Sequence, residues 1–437
     1  MMTMRRTKTL IIMVLTSSFC LVILYSMLNL QVTHNRREVA EIPAVTTKNL
    51  VLATSTIGIK DNKSTEHPTE SKSGPPSSTA AVQQVTVSES FIKDIPKSSA
   101  FWNRKMYSLF GQQPIPINLT GNELVNGSQC HPESIESLQM NIQDLRSYPE
   151  LYQDFLQGMD CHSPQILIDQ PNKCAPVGSK GQVFLLFAVK STPRHFERRQ
   201  VIRDTWGREG VYQGELIVRT VFLLGRTSVD DPNLDKLITF EAKEYGDLLV
   251  WDFQDSFYNL TLKEHVFFKW TLYQCPQVSF IFKGDDDVFA NTPAILSHLQ
   301  SLEPDRASKL YAGQIISDAS PLRDIKSKYY VPQSFYEGPY PTYAAGGGFL
   351  FSGSLLKPLY IISHYIPFFP IDDVYTGMCF KALGISAEKH EGFQTFDIRE
   401  QDRENACVHK HLLLVHQRNP RQSKRLWRNM HSPLLTC

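Results

Sequence analysis

Hydrophobic residues in the second half of the chain alternate between short continuous runs and helical stripes. The continuous runs are typical of strands buried on both faces, and they occupy residues 183–189, 216–224, 248–253 and 278–282. Stripes at helical spacing between and after these runs predict helices at residues 192–206, 233–245, 260–274 and from 292 onward. Strands that alternate with helices in this way predict βαβ units and an α/β fold with a mainly parallel sheet.

Local sequence signals predict where two of the helices begin and where the second strand ends. Thr192 with Pro193, and Thr292 with Pro293, each supply a capping residue followed by a proline suited to a first helical turn. Gly225 is expected to close the second strand. No glycine-rich dinucleotide fingerprint follows the first strand and no P-loop sequence occurs, which argues against an ordinary Rossmann dehydrogenase or NTPase. A bound nucleotide would therefore need its phosphates neutralised in another way, such as by a metal held on carboxylates.

Three consecutive carboxylates, Asp285, Asp286 and Asp287, follow the fourth strand. Ligands bind at the carboxyl ends of strands in an open α/β sheet, and like charges this close repel one another unless a cation neutralises them. Hard oxygen ligands favour Mn²⁺, Mg²⁺ or Ca²⁺ over zinc. Because alternate residues of an extended segment share a side, Asp285 and Asp287 are the predicted metal ligands and Asp286 points elsewhere. The alternative is an acidic turn in contact with solvent.

A second acidic pair, Asp372 and Asp373, begins a predicted helix at residues 374–383. Acids are favoured at helix N-termini, so capping alone would explain the pair. A displacement that takes a proton from a hydroxyl group requires a general base, and the helix dipole would keep such a carboxylate ionised. The residues by themselves leave both interpretations open.

The first hundred residues predict a membrane anchor and a stalk. Residues 10–30 carry no charge and are long enough to cross a bilayer, and basic residues before them favour a cytosolic tail at residues 1–9. A cleaved signal peptide is the alternative. Residues 31–100, rich in Ser, Thr and Pro over much of their length, are predicted to be a disordered stem, and residues 101–437 a folded lumenal domain.

Sequons and cysteines agree with a lumenal domain. The four N-glycosylation sequons lie beyond the anchor, at Asn62, Asn118, Asn126 and Asn259. Seven of the eight cysteines also lie there without CxxC spacing, so disulfides are favoured over a zinc knuckle, with one cysteine left over. The net charge of +1 gives no indication of nucleic-acid binding.

An ordered set of motifs resembles the β-1,3-glycosyltransferases. The matching stretches are residues 187–191 (FAVKS), 198–207 (RRQVIRDTWG), 221–225 (VFLLG), 259–263 (NLTLK), 282–289 (FKGDDDVF), 343–349 (YAAGGGF) and 371–377 (IDDVYTG). Residues 167–174 (LIDQPNKC) and 372–379 (DDVYTGMC) are most similar to the β-1,3-N-acetylglucosaminyltransferases that build poly-N-acetyllactosamine. The resemblance implies a GT-A fold, a Mn²⁺-dependent UDP-sugar donor, inversion at the sugar carbon and a type II anchor in the Golgi membrane.

The resemblance also implies roles for individual residues. It makes Asp373 the catalytic base and adds His416 to the two metal-binding aspartates. Side chains expected to contact the nucleotide-sugar donor are Arg199, Arg203, Lys263 and Asp286. Sugar and acceptor contacts are expected from Tyr343, Gly346, Gly347, Gly348 and Asp372, and further aromatic faces from Phe335, Tyr336 and Tyr340. A disulfide between Cys379 and Cys407 is implied as well.

The predicted function is metal-dependent, inverting transfer of N-acetylglucosamine from UDP-GlcNAc, in β-1,3 linkage, to terminal galactose of N-acetyllactosamine-type glycans. Within the family the alternative is a β-1,3-galactosyltransferase or N-acetylgalactosaminyltransferase. Outside it, the alternatives are a glycan-binding pseudoenzyme and a two-carboxylate glycosidase. The expected partners are glycan acceptors on glycoproteins or glycolipids and the Golgi membrane, with homo- or hetero-oligomers of glycosyltransferases left open.

Overall fold

A computed structural model describes residues 85–110, 116–117, 132–176, 181–227 and 231–437. The predicted tail and anchor, most of the predicted stem, and the sequons at Asn62, Asn118 and Asn126 lie outside the described residues. Within the described residues, no helix is both long enough and apolar enough to cross a membrane.

Strands and helices alternate through the described residues. The strands are β1 (Val85–Thr86), β2 (Pro116–Ile117), β3 (Ile166–Ile168), β4 (Val183–Lys190), β5 (Gly210–Tyr212), β6 (Leu216–Arg226), β7 (Leu248–Gln254), β8 (Phe280–Asp285), β9 (Phe289–Ala290), β10 (Tyr311–Ile316), β11 (Tyr343–Ser352), β12 (Glu388–Lys389), β13 (Phe393–Gln394) and β14 (Leu414–Val415). The helices are α1 (Glu89–Asp94), α2 (Phe101–Phe110), α3 (Ile135–Asn141), α4 (Glu150–Gly158), α5 (Phe196–Asp204), α6 (Pro232–Tyr245), α7 (Leu260–Gln274), α8 (Thr292–Gln300), α9 (Pro304–Ser308), α10 (Leu356–Ile362), α11 (Asp372–Ala382), α12 (Ala406–His409) and α13 (Pro420–Met430).

The central sheet is mixed. Its order is β12-β10-β11-β8-β4-β6-β7-β3, with β5 paired to β6. The four predicted strands are its centre and are all parallel in the order β8-β4-β6-β7, which confirms the α/β fold. Beside them β11 runs antiparallel to both β8 and β10, and β3 is antiparallel to β7. The sheet is therefore parallel at its centre and has antiparallel pairs on both sides of that centre, while the edge strand β12 is parallel to β10.

Two hydrophobic cores cover opposite faces of this sheet. Along β4, Leu186 and Ala188 contribute to one core, whereas Leu185, Phe187 and Val189 contribute to the other. Helices α7, α10 and α11 supply the first core, and helices α5, α6, α8 and α13 supply the second. Burial on both faces explains why these strands are continuous apolar runs rather than alternating ones.

Two predicted boundaries are wrong for identifiable reasons. Helix α5 begins at Phe196 rather than at Thr192, because the Thr192 and Pro193 carbonyls accept hydrogen bonds from Arg199 and form a turn. Gly225 lies inside β6 instead of ending it. A Cβ atom there would lie 2.7 Å from the carbonyl oxygen of Phe253, so glycine permits a close approach to the next strand.

The folded part of the chain begins before residue 101. Helix α1 lies inside the predicted stem, yet Phe91 and Ile95 are buried in the first core. The Ser88 amide also donates a hydrogen bond of 2.8 Å to the carbonyl of Ala382 at the end of α11. The C-terminal boundary of the predicted stem is therefore wrong: the last residues before Phe101 are part of the folded unit.

The disulfide pattern differs from the one implied by the resemblance. The described residues contain the disulfides Cys174–Cys275 and Cys407–Cys437, and Cys161 is also disulfide-bonded. Cys379 lies in α11 with no exposed surface and is a free thiol. The predicted bond between Cys379 and Cys407 is wrong, because Cys407 closes a loop with the C-terminal residue.

Candidate active site

A cleft of about 600 Å³ opens where the carboxyl ends of β4 and β8 meet the antiparallel strand β11. Lys190, the last residue of β4, is in register with Asp285, the last residue of β8, and their charged groups lie 3.0 Å apart. The cleft contains Asp285 and Asp287 as well as Asp372 and Asp373. The fold therefore brings together the end of β8 and the start of α11, which are nearly ninety residues apart in the chain.

Asp285, Asp287 and His416 form a three-residue cluster in this cleft. Each offers a ligand atom within 4.8 Å of those of the other two. The Nε2 atom of His416 lies 3.0 Å from Oδ1 of Asp287, and its Nδ1 lies 2.9 Å from the carbonyl oxygen of Thr395. Burial alone would raise the pKa of Asp287, but the hydrogen bond and charge of His416 outweigh it and lower that pKa. This is the predicted metal set, assembled from the last residue of β8, the turn that follows it and the residue after β14.

Asp286 points away from that cluster, as predicted, but it is already engaged. Its carboxylate accepts hydrogen bonds from Ser191 Oγ at 2.7 Å and Arg198 at 2.8 Å, and it lies 2.8 Å from Nδ1 of His195. These contacts fix the acidic turn against the segment that follows β4. Arg198 also lies 3.4 Å from Asp287 and so carries positive charge to the edge of the cluster.

Asp373 lies at the N-terminus of α11, with its side chain partly exposed to the cleft. Its Oδ2 accepts a hydrogen bond of 2.8 Å from the Gly346 amide, and its Oδ1 one of 2.9 Å from the Val374 amide. Burial, reinforced by the neighbouring charge of Asp372, raises the pKa of Asp373 to about 7. A fixed carboxyl group with such a pKa can take up a proton near neutral pH.

Asp372 occupies a different environment from its neighbour. Its carboxylate is buried and lies 2.8 Å from the ammonium of Lys190 and 3.3 Å from that of Lys283. Burial alone would raise the pKa of Asp372, but these two lysines hold it well below the usual range. Lys283 also pairs with the buried Glu264 of α7. Both lysines contact Oδ2 of Asp372, and the residue lines the cleft, so its predicted sugar contact stays a prediction.

Each of the three glycines in β11 makes room for a different neighbour. A Cβ atom at Gly346 would lie 3.0 Å from Oδ2 of Asp373, and one at Gly347 would lie 3.2 Å from Nδ1 of His416. At Gly348 it would lie 2.3 Å from a methyl group of Leu414. Gly346 and Gly347 line the cleft as predicted, but Gly348 is buried against the core. The first two glycines allow the Asp373 carboxylate and the His416 imidazole to approach the strand closely.

Comparison with known proteins identifies the family. Residues 197–391 match the model of the family described as Galactosyltransferase. The mouse protein N-acetyllactosaminide beta-1,3-N-acetylglucosaminyltransferase 2 is 43% identical over 360 residues, which are 80% of this chain and 89% of the mouse protein. The chain belongs to the β-1,3-N-acetylglucosaminyltransferase family.

Other members agree with this assignment. The human acetylgalactosaminyl-O-glycosyl-glycoprotein beta-1,3-N-acetylglucosaminyltransferase is 41% identical over 325 residues, which are 72% of this chain and 82% of the human one. Among solved structures, mouse xyloside xylosyltransferase 1 is 12% identical and covers 55% of this chain and 98% of its own, with a TM-score of 0.29.

Several residues predicted to contact the donor are placed elsewhere by the structure. Arg199 is fully buried and pairs with Glu241, and Arg203 pairs with Glu241 and Asp247. Neither arginine lines the cleft. The ammonium of Lys263 does border the cleft, but it donates to the Ser191 carbonyl at 2.9 Å and to a buried carboxylate. Arg199 and Lys263 therefore support the cleft by hydrogen bonds to its lining residues Ser191 and Thr192.

The predicted aromatic contacts are only partly found in the cleft. Tyr343 and Tyr340 line it, whereas Phe335 and Tyr336 are packed in the first core. Asn259, the one sequon among the described residues, directly precedes α7 and donates its side-chain amide to the Gln254 carbonyl at 2.9 Å instead of capping the helix. Each residue type matched the motif, but the direction of its side chain depended on tertiary packing.

Lys190 and Arg198 line the cleft but were not predicted as site residues. Lys190 bridges Asp285 and Asp372, and Arg198 bridges Asp286 and Asp287. The position of Lys190 at the carboxyl end of a predicted central strand was a usable signal, because such ends meet at one edge of the sheet. Arg198 offered no comparable signal. It is adjacent to Arg199 in α5 and differs from it only in the direction in which its side chain points.

Proposed function

We propose that this protein transfers N-acetylglucosamine from UDP-GlcNAc to the 3-hydroxyl of terminal galactose on N-acetyllactosamine-type glycans, forming a β-1,3 linkage with inversion. The observation that carries the proposal is Asp373, a carboxyl group with a raised pKa that faces the cleft containing the Asp285, Asp287 and His416 cluster. One group can accept a proton and the other can hold a cation, which are the two requirements of this reaction on a GT-A-type fold.

The cluster of Asp285, Asp287 and His416 fits a divalent cation such as Mn²⁺. Two carboxylates and one imidazole form a mainly oxygen ligand set, which suits Mn²⁺ better than zinc. The Thr395 carbonyl lies within hydrogen-bonding distance of Nδ1 of His416, which orients the ring with Nε2 towards Asp287, as expected of a ligating histidine. When bound, the cation would stabilise the negative charge that develops on the departing diphosphate.

Asp373 would act as the base. As the acceptor oxygen forms its bond to C1 of the donor sugar, the bond from C1 to the diphosphate oxygen breaks and UDP takes the electron pair. The hydroxyl proton passes to the ionised Asp373 carboxylate. The amides of Gly346 and Val374 hold that carboxylate in place before the substrate arrives.

Positive charge from the protein would supplement the cation. The Lys190 ammonium lies between the metal set and the base helix, and Arg198 lies on the other side of the acidic turn. The charges of Asp285 and Asp372 raise the pKa of Lys190, outweighing the opposing effect of its burial, so it stays charged. Tyr340 and Tyr343 would offer apolar ring faces to the sugars.

The donor and acceptor are proposed from the relatives. The matched proteins of mouse and human are named as β-1,3-N-acetylglucosaminyltransferases, and the mouse protein is named for N-acetyllactosaminide as acceptor. We extend these activities to this chain because the family match at residues 197–391 includes β8, β11 and the start of α11, which carry acidic and glycine residues of the cleft. A type II Golgi address, with residues 10–30 as anchor and N-glycans at the sequons, is proposed on the same basis.

Product analysis tests this proposal. The full-length protein, purified in detergent, would be incubated with UDP-GlcNAc, Mn²⁺ and N-acetyllactosamine, and the product analysed by NMR. The proposal expects a single new β-anomeric signal and substitution at the 3-position of galactose. An α-anomer, or substitution at another hydroxyl, would show that the base or the acceptor orientation is assigned wrongly.

A further inference from the structure

Three histidines from distant parts of the chain meet outside the cleft. His162 follows α4, His265 lies within α7 and His364 follows α10. Each brings a ring nitrogen within 4.8 Å of those of the other two. Lys263 of α7 borders the cleft, and His265 two residues later points roughly 200° away around the helix axis. None of the three histidines lines the cleft.

Hydrogen bonds set the tautomers of two of these rings. Nδ1 of His364 donates to the Tyr360 carbonyl at 2.8 Å, which leaves the lone pair of a neutral ring on Nε2. Nδ1 of His265 lies 2.8 Å from Ser363 Oγ, whose proton goes to the Tyr360 carbonyl, so His265 is the donor there too. Ligating histidines are commonly held in this way, with the other nitrogen bonded to a carbonyl or hydroxyl oxygen.

His265 also has an unsatisfied atom at this position. Its Nε2 is buried and has no hydrogen-bond partner, and the residue has no exposed surface. A buried acceptor left without a partner is costly, and such atoms in native proteins call for an explanation. A metal ion with a vacant coordination position would accept this lone pair.

The arrangement of the rings matches a shared metal ion. The centroid of His265 lies 5.0 Å from that of His162 and 4.7 Å from that of His364, and the remaining pair is 5.8 Å apart. With Zn–N distances of about 2.0–2.1 Å, two imidazoles at a tetrahedral angle have centroids roughly 5 Å apart. The ring planes meet at 54° to 67°, so the histidines are not stacked on one another.

The charge state of the cluster also suits a metal. Burial lowers the pKa of His162 to about 4 and lowers those of His265 and His364, so all three rings are neutral near neutral pH. Neutral imidazole is the form that binds metals. Phe368 stacks on His162 at a centroid distance of 4.3 Å and provides an apolar wall.

We propose that His162, His265 and His364 form a second metal site, selective for Zn²⁺ or a similar imidazole-binding ion, with water in the fourth position. Ligands consisting only of imidazole favour such ions over the Mn²⁺ or Mg²⁺ suited to the carboxylates of the cleft. The bound ion links the segment after α4 and the end of α10 to the central helix α7, so its role is structural. The proposal does not depend on the proposed transferase activity.

Zinc binding to the full-length protein tests this site. The cleft is first disabled by Asp287→Ala with His416→Ala, so that its own affinity for zinc does not interfere. Metal content is then measured after dialysis against micromolar Zn²⁺, and Co²⁺ spectra report the ligand geometry. His364→Gln and His162→Gln, both at partly exposed residues, are added separately to this background, and near-UV circular dichroism checks the fold of each.

The expected result is one zinc per chain in the cleft-disabled protein, a rise in its Tm with Zn²⁺, and visible Co²⁺ bands typical of tetrahedral coordination. Each histidine variant should weaken zinc binding at least tenfold and lose the rise in Tm. His390→Gln is the matched control. Among the described residues, the ring of His390 has one histidine ring beside it, that of His298 at a centroid distance of 4.4 Å, so it is not part of a three-histidine cluster. Absence of bound zinc from the cleft-disabled protein, or its retention by both folded histidine variants, would overturn the proposal.

Discussion

Replacement of Asp373 by Asn isolates the proposed base. The change keeps the size of the side chain but removes its ability to accept the hydroxyl proton. Asp373 uses one oxygen for the Gly346 amide and the other for the Val374 amide. Asn has a single carbonyl oxygen, so its amino group must face one of these N–H groups, and the side chain loses one of its two anchors.

The expected loss can be estimated from these two effects. A positioned general base contributes about 10²- to 10⁴-fold to a rate, which is about 3–5 kcal/mol in activation free energy. Misplacement of the side chain adds to that loss, so we expect kcat to fall by at least about 10³-fold. UDP affinity should change little, since Asp373 belongs to neither the metal set nor the turn that carries it.

The assay measures kcat and KM for both substrates, UDP affinity by calorimetry, and the dependence of kcat/KM on pH. Because burial and the charge of Asp372 raise the pKa of Asp373 to about 7, the base is protonated below that pH. Wild-type activity should therefore rise with pH through this range and then level off, and the residual activity of the variant should not. Asp305→Asn, at a surface carboxylate, is the matched control. A variant that keeps the rate and pH profile of the wild type would refute the assignment.

Three further predictions concern the metal, the disulfides and the anchor. Asp287→Ala should weaken Mn²⁺-dependent UDP binding at least tenfold in calorimetry, and unchanged affinity in Mn²⁺ would exclude Asp287 as a ligand. Peptide mapping under non-reducing conditions should recover the pairs Cys174–Cys275 and Cys407–Cys437, with the α11 thiol alkylated only after unfolding; a peptide linking that thiol to Cys407 would contradict the structure. Replacing the predicted anchor by a cleavable signal should give a secreted, active enzyme, and activity restricted to the anchored form would show that the anchor does more than tether.

The sequence predicted the elements at the centre of the fold because they depend on local composition. The four central strands are buried on both faces, so each is a continuous apolar run that can be recognised without knowledge of its neighbours. The outer strands gave no such signal. Strand β11 contains three glycines in a row, which favour a loop in isolation, and it becomes a strand because it pairs with β8 on one side and β10 on the other.

The sequence predicted the ionisable residues of the site better than it predicted their contacts. Asp285, Asp287, His416 and Asp373 all line the cleft, since each follows or begins a recognisable element or motif. The direction of a helical side chain is harder to predict. Arg198 and Arg199 are adjacent and chemically identical, yet the first reaches the acidic turn and the second is buried against Glu241.

Ion pairs between residues that are distant in the chain could not be predicted from the sequence either. The buried chain that runs from Glu264 through Lys283, Asp372 and Lys190 to Asp285 joins α7, β8, α11 and β4. No pattern along the chain relates these positions, because only the sheet order makes them neighbours. The same buried chain sets the difference between Asp372, whose pKa is lowered, and Asp373, whose pKa is raised.

The release of UDP by the full-length protein, compared across donors and metals, tests the central claim most directly. UDP-GlcNAc, UDP-galactose and UDP-GalNAc would each be supplied with N-acetyllactosamine, with and without Mn²⁺. The account predicts acceptor-dependent release of UDP from UDP-GlcNAc, and only when Mn²⁺ is present. Equal release after removal of the metal, a preference for another donor, or no release by a demonstrably folded protein would contradict it.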